Sequence, residues 1–258
     1  MSIEAPPRTA AGSGLRLTSA ESVIIRRVLA EMWKVARWFW PAALLIPILI
    51  GATIAQFTPI TKSIWENAGQ WPRWWLFAMA IALVTGYLPI VVAHGVSRRA
   101  ALRAGAVAGV LIALLWAGLM VVGHVGERAI YQQLGWPDTM DTPHLFADGY
   151  DVLPMLAEYG LIFLAYLITG ALVGGLYYRF GAIRATLLLL PAMLPMVAIE
   201  MLLSTGWYTG LYGPLNHRGM DFPRPPLIVV MLMVLVILSF AALVVHLVLR
   251  DVSIHSKK

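Results

Sequence analysis

Cysteine is absent from the 258 residues, so the chain can hold no disulfide, no thiolate metal site and no cysteine nucleophile. Charge is scarce as well. Asp, Glu, Lys and Arg make up 12% of the chain against 60% hydrophobic residues, about half the charged share that covers a soluble domain. The lysines follow Trp33, Thr61, Ser256 and Lys257, never a glycine, which excludes the Gly-Lys-Ser/Thr end of a P-loop. Six histidines are scattered with no HExxH and no closely spaced pair, so a zinc site of the usual spacing is missing. His94, His124 and His246 fall at the ends of apolar runs, where an interfacial position is the ordinary expectation. No Gly-x-Ser-x-Gly elbow is present either: Ser97 and Ser204-Thr205-Gly206 do not fit one. No metal, cofactor or catalytic motif is therefore expected in this chain, and it is not expected to be an enzyme.

Long hydrophobic runs are what the sequence does contain. Mean hydropathy is +0.77, and six apolar stretches stand out at about 39–60, 74–93, 105–124, 153–176, 185–204 and 226–249. Each approaches the ~20 residues that cross a hydrocarbon core of about 30 Å. The expected fold class is all-α: a polytopic membrane protein of six transmembrane helices. No cleavable signal peptide is expected, because the residues before the first run are polar and lack a small-residue cleavage pattern.

Orientation follows from the basic residues. With the N-terminus inside, cytoplasmic segments carry Arg8, Arg16, Arg26, Arg27, Lys34, Arg37, Arg98, Arg99, Arg103, Arg179, Arg184, Arg250, Lys257 and Lys258. Outer segments carry only Lys62, Arg73, Arg128, Arg218 and Arg224. That asymmetry predicts both termini in the cytoplasm. It also explains the net charge of +6 through membrane orientation and anionic lipid, without nucleic acid. The outer joint at about 125–152 is acidic, with Glu127, Asp138, Asp141, Asp148 and Asp151 against Arg128. It reads as a partly ordered cap with a short helix around Glu127–Leu134.

Residues 1–20 read as a cytoplasmic tail, and residues 21–38 as a separate element. At 100° per residue Arg26, Arg27, Ala30, Glu31, Lys34 and Arg37 share one arc. Ile24, Ile25, Val28, Leu29, Met32, Trp33, Val35 and Ala36 fill the opposite one. The pattern predicts an amphipathic helix along the cytoplasmic interface, with Pro41 turning the chain into the membrane. The domain expected after it is the six-helix unit at 39–250, followed by a tail at 251–258.

Two carboxylates, Glu158 and Glu200, lie inside apolar runs, about seven and four residues from the outer boundary. An ionisable group at such depth needs a partner or a pathway, so they are candidates for an outer-facing cavity. A bond to interfacial water, to Ser204 or Thr205, or to a Tyr hydroxyl would also account for them. Small-residue spacings at Ala101/Gly105/Gly109 and at Gly170/Gly174 predict faces where helices approach closely.

The cytoplasmic joint after the second run reads His94-Gly95-Val96-Ser97-Arg98-Arg99-Ala100-Ala101-Leu102-Arg103. Gly95 can break one helix and Ser97 can cap the next, which leaves arginines projecting from a short cytoplasmic helix; a plain loop that is basic only because it lies inside accounts for them as well. A six-run chain with an amphipathic N-terminal helix and this Gly-Val-Ser-Arg-Arg turn resembles ABC-2 type transporter permeases. The likeness covers most of the chain in topology and His94–Arg99 in sequence. It implies a permease of a bacterial inner membrane, by expectation an exporter, that pairs with a second copy or a paralogue. A separate cytoplasmic ATPase would hold the ATP and magnesium. It further implies that Gly95, Val96, Ser97, Arg98, Arg99 and Arg103 form the coupling contact. Arg26, Arg27, Lys34, Arg37 and Trp33 would then lie on the connecting helix, and Gly206–Leu215 would be a re-entrant segment. Two other readings stay open: an ATPase-independent solute-binding or secondary transporter, and an intramembrane enzyme using Glu158 and Glu200.

Overall fold

A computed structural model describes residues 17–137, 139–140, 144–203 and 226–250. The described chain is mostly helical, with no strand among those residues. Five segments are long and apolar enough to cross a membrane: Ser19–Ile54 (α1), Trp65–Ala93, Arg98–Leu134 (α5), Val152–Leu187 (α6) and Leu227–Leu249 (α8). The fifth apolar run of the sequence gives a shorter helix, α7, over Leu189–Leu203. The second long segment is composite: α2 (Trp65–Ala68), α3 (Gln70–Ala82), a π turn at Leu83–Tyr87 and α4 (Leu88–Ala93). Pro89, at the start of α4, has no N–H to offer the preceding turn, and the helix widens there to keep its carbonyls bonded.

The N-terminal element differs from expectation. Thr18 caps α1 in a reciprocal box with Glu21, each side chain meeting the other's backbone N–H. The helix thus starts at Ser19, inside the stretch assigned to the tail. It then runs 36 residues, about 54 Å at helical rise, with Pro41 and Pro47 inside it and no turn at Pro41. Its apolar face is covered by protein: Ile24, Val28, Met32, Ala36, Trp40, Ala43, Pro47 and Gly51 form one buried stripe. Trp33, expected on that face, is 62% exposed, as are Arg26, Arg27, Lys34 and Arg37 to varying degrees.

The stripe of α1 lies along α5, which also packs on α6 and buries Ala101, Ala104, Ala108, Ile112, Ala113, Trp116 and Ala117; of these Trp116 meets Phe39 and Trp40 of α1. Alanine lets the two backbones come close, which is how apolar helices gain packing where lipid is as greasy as protein. Near mid-helix, Phe39 stacks between Trp75 and Trp116 at centroid distances of 5.1 and 5.0 Å. The helix at the centre is α6: 78% of its most apolar stretch is buried, against 22–39% in the other four long segments. Gly170 and Gly174 lie against Phe77 and Ile81 of α3, and a Cβ on Gly170 would stand 2.3 Å from the Phe77 carbonyl oxygen. The contact expected from that glycine pair is present. Gly105 and Gly109 meet nothing within 4 Å.

Neighbouring contacts fix the directions. Gly170 and Gly174 meet Phe77 and Ile81 in the same order, so α3 and α6 run parallel. Tyr177 reaches Thr186 and Tyr166 reaches Glu200, so α7 runs back along α6. The reversal occurs at Gly181 (φ 74°, ψ 174°), a conformation that glycine alone adopts without strain. Two ends result. At the arginine end, Arg98 and Arg179 donate to backbone carbonyls at the end of α8. At the loop end, α2 and the loop after α5 are drawn over the bundle.

Candidate functional site

At the arginine end the predicted local chemistry is in place. Gly95 adopts φ +85°, which ends α4, and the Ser97 hydroxyl accepts the Ala100 N–H to cap α5. The expected short cytoplasmic helix is instead the first turn of α5, continuous through all 37 residues to Leu134. Arg98 and Arg99 therefore occupy a helix N-terminus, where the dipole and unpaired N–H groups disfavour positive charge. Helix energetics do not account for them. Arg103 pairs with buried Glu21 at 3.5 Å and so ties α5 to the start of α1. Arg98 donates to the Arg250 carbonyl at 3.4 Å. Arg99 is exposed and makes no ion pair or hydrogen bond within the described residues.

The two in-span glutamates are both buried, Glu158 at 0% and Glu200 at 1% exposure. Glu200 accepts from the Arg73 guanidinium and from the Tyr166 hydroxyl, each at 2.8 Å. The Tyr hydroxyl partner was foreseeable. Arg73 was not: it stands just outside the second apolar run, reads as an outer-joint residue, and is 2% exposed. Glu158 accepts from His144 Nδ1–H and from the Leu145 N–H, both at 2.6 Å. His144 Nε2–H points to Glu66 of α2 at 3.2 Å. No hydrogen bond joins Glu158 to Glu200 among the described residues, and each has its own cation. Two surface clefts, one at Pro47, Ile54, Thr58 and Asn67 and one at Trp74, Pro191 and Leu194, contain neither carboxylate. Among the described residues both carboxylates are held in buried pairs.

Around this pairing the loop end is closely stitched. The helix expected around Glu127–Leu134 is the final part of α5. From it the Glu127 carboxylate accepts from the Ser63 hydroxyl and from the Ile64 and Trp65 N–H groups, holding α2 across the bundle. Trp65 donates to the Met120 carbonyl and lies over Gly123, where a Cβ would come within 2.0 Å of its ring. His124, at the end of its apolar run, faces inward: it is 1% exposed, bonded to the Tyr159 hydroxyl at 2.8 Å and stacked on that ring. Phe146 packs on His144 at 4.5 Å and edge-on to His124. Arg128 pairs with Asp148 at 3.2 Å, and Asp151 accepts the Ala147 and Asp148 N–H groups before α6 begins.

Burial alone lowers the pKa of His144, but its bonds to Glu158 and Glu66 and their charges outweigh that and raise it to about 9. It is the imidazolium that fits the site, since a neutral ring has one N–H and would turn a bare nitrogen toward a carboxylate. No group of three or more His, Asp or Glu among the described residues is arranged to hold a metal ion. The Gly206–Leu215 segment lies outside the described residues. Compared with protein families, curated protein sequences and solved structures, the chain matches none of them.

Proposed function

We propose that the chain is the membrane-spanning subunit of an ATP-binding cassette exporter. In this reading it has six spans with both termini cytoplasmic in a bacterial inner membrane. It pairs with a second permease and is driven by a separate ATPase that binds ATP and magnesium. The observation that carries the reading is the placement of Arg98 and Arg99. Two cations stand at a helix N-terminus that disfavours them, on a turn set by Gly95 and Ser97, with Arg99 free to meet an acidic partner. Behind them α5 is one rod of about 55 Å. Its far end holds α2 through Glu127 and meets α6 through His124. A push at the arginine end would reach the loop end without crossing a flexible joint. The buried partners of Glu158 and Glu200 leave no free carboxylate pair, so the enzyme reading gains no support.

The test is copurification of the chain from its native membrane. A P-loop ATPase in stoichiometric amount is expected, and none would overturn the proposal. Arg99→Glu should weaken that association, since a broken charged contact at an interface costs about 2–5 kcal/mol. Arg184→Glu reverses an exposed arginine in the last turns of α6, past the reversal at Gly181, and should leave association intact. Equal retention of the ATPase by both variants would remove the coupling role from Arg99.

A further inference from the structure

We propose that His144, clamped between Glu66 of α2 and Glu158 of α6, is a proton-held latch that keeps its loop closed over the loop end of the bundle and releases it on deprotonation. The geometry carries this. Both ring nitrogens face a carboxylate oxygen, Nδ1 at 2.6 Å and Nε2 at 3.2 Å, so the closed position needs two N–H groups. The ring side chain is 2% exposed, and the Glu66 and Glu158 side chains are 6% and 0% exposed. Both donors thus meet their carboxylates out of contact with bulk solvent. Loss of the proton would leave a bare nitrogen against a buried carboxylate, which destabilises the closed position.

Among the described residues, groups facing the latch come from three elements. Glu66 lies on α2, Glu158 and Tyr159 on α6, and His124 with Glu127 on α5. His124 is already bonded to Tyr159, and Glu127 to Ser63 and the start of α2. Arg73, the nearest guanidinium on α3, is engaged by Glu200. None of these supplies a second cation to replace the imidazolium. The latch joins two segments far apart in the chain, and the Leu145 N–H and the Phe146 ring close with it. Release would uncover Phe146, which is 4% exposed when shut.

The sign follows from the bound position raising the His144 pKa to about 9 above the ordinary value of about 6.5 for an exposed ring. Closure is fully supported below about pH 6.5. It weakens about tenfold per pH unit from there to about pH 9, and is flat above. Hydrogen exchange of the full chain in lipid nanodiscs, corrected for intrinsic rate, should show this slope in the peptide that carries Leu145–Tyr150. A peptide within Ala104–Ala117 of α5 should show none. In Glu66→Gln the slope should end at a lower pH, because one carboxylate no longer holds the proton. In His144→Gln it should vanish. The native profile needs no variant to fold: protection that is flat between pH 6.5 and 9 overturns the latch, and so does an unchanged slope in His144→Gln. The inference concerns the loop end alone and stands whether or not an ATPase binds at the other end.

Discussion

The two ends of this bundle hold their charges in opposite ways. At the loop end, Arg73, Glu200, His144, Glu158 and Glu66 are all nearly inaccessible, and each ion has a partner within 3.2 Å. At the arginine end, Arg99 has no partner among the described residues and Arg98 and Arg179 rest on backbone carbonyls. A buried charge holds one geometry because losing its partner is costly, whereas an exposed one is worth little to the fold. The loop end is therefore built for its own closure. The arginine end is built to leave charge for something else.

The comparison is broken hardest at Arg73. Arg73→Leu strands the Glu200 carboxylate with only the Tyr166 hydroxyl, and should cost about 3–5 kcal/mol of stability. Replacing both as Arg73→Leu with Glu200→Leu should recover most of that loss, since a buried ion pair is often no better than apolar packing. Thermal unfolding in detergent of these two variants, of Glu200→Leu alone and of the native chain completes a double-mutant cycle. A double variant as unstable as the single one would show that the pair itself holds α3 to α7.

A smaller effect separates two glycine pairs that look alike in sequence. Gly170→Ala places a methyl against the Phe77 carbonyl oxygen, and overpacking of that kind costs about 1–3 kcal/mol. Gly105→Ala meets open space and should be neutral, or stabilising by up to about 1 kcal/mol through helix propensity. Unfolding midpoints of the two variants check this. Equal losses would mean that the α3–α6 approach is looser than the structure has it.

That pair also shows where the sequence was legible and where it was not. Spacing of four small residues marks a face that can pack, but cannot say whether a neighbour arrives. One arrives at Gly170 and none at Gly105. Local chemistry read well: the apolar runs, the Gly95 break and the Ser97 cap depend on residues within a few positions of one another. Thr18-Ser19-Ala20-Glu21 carried a capping-box signature that could have placed the first helix start. Pro41 misled, because a proline inside an apolar helix is tolerated where neighbours re-satisfy the backbone. The candidate carboxylates were visible as anomalies, yet their partners were not. Arg73 and Glu200 are 127 residues apart, and any outer-joint cation could have served. His144 gave no signal at all, since a lone histidine in an acidic loop is ordinary until Glu66 and Glu158 are brought to either side of it.

The smallest effect on stability should come from Arg99→Glu, and its smallness is the point. Arg99 is exposed and has no partner among the described residues, so reversing it removes no contact of the fold. The change even improves the electrostatics of α5, because an acidic side chain in the first helical turn suits the dipole by about 0.3–1 kcal/mol. Stability should hold or rise slightly, measured as the unfolding midpoint of the isolated chain. Arg103→Glu is the contrasting variant, because it puts a second carboxylate beside Glu21 and should loosen the start of α1. A fall in stability for Arg99→Glu comparable with that of Arg103→Glu would show that Arg99 serves the fold. A residue that the fold does not need, placed where its own helix resists it, is then left with the membrane surface or a partner as its reason. Loss of ATPase with no loss of stability would choose the partner.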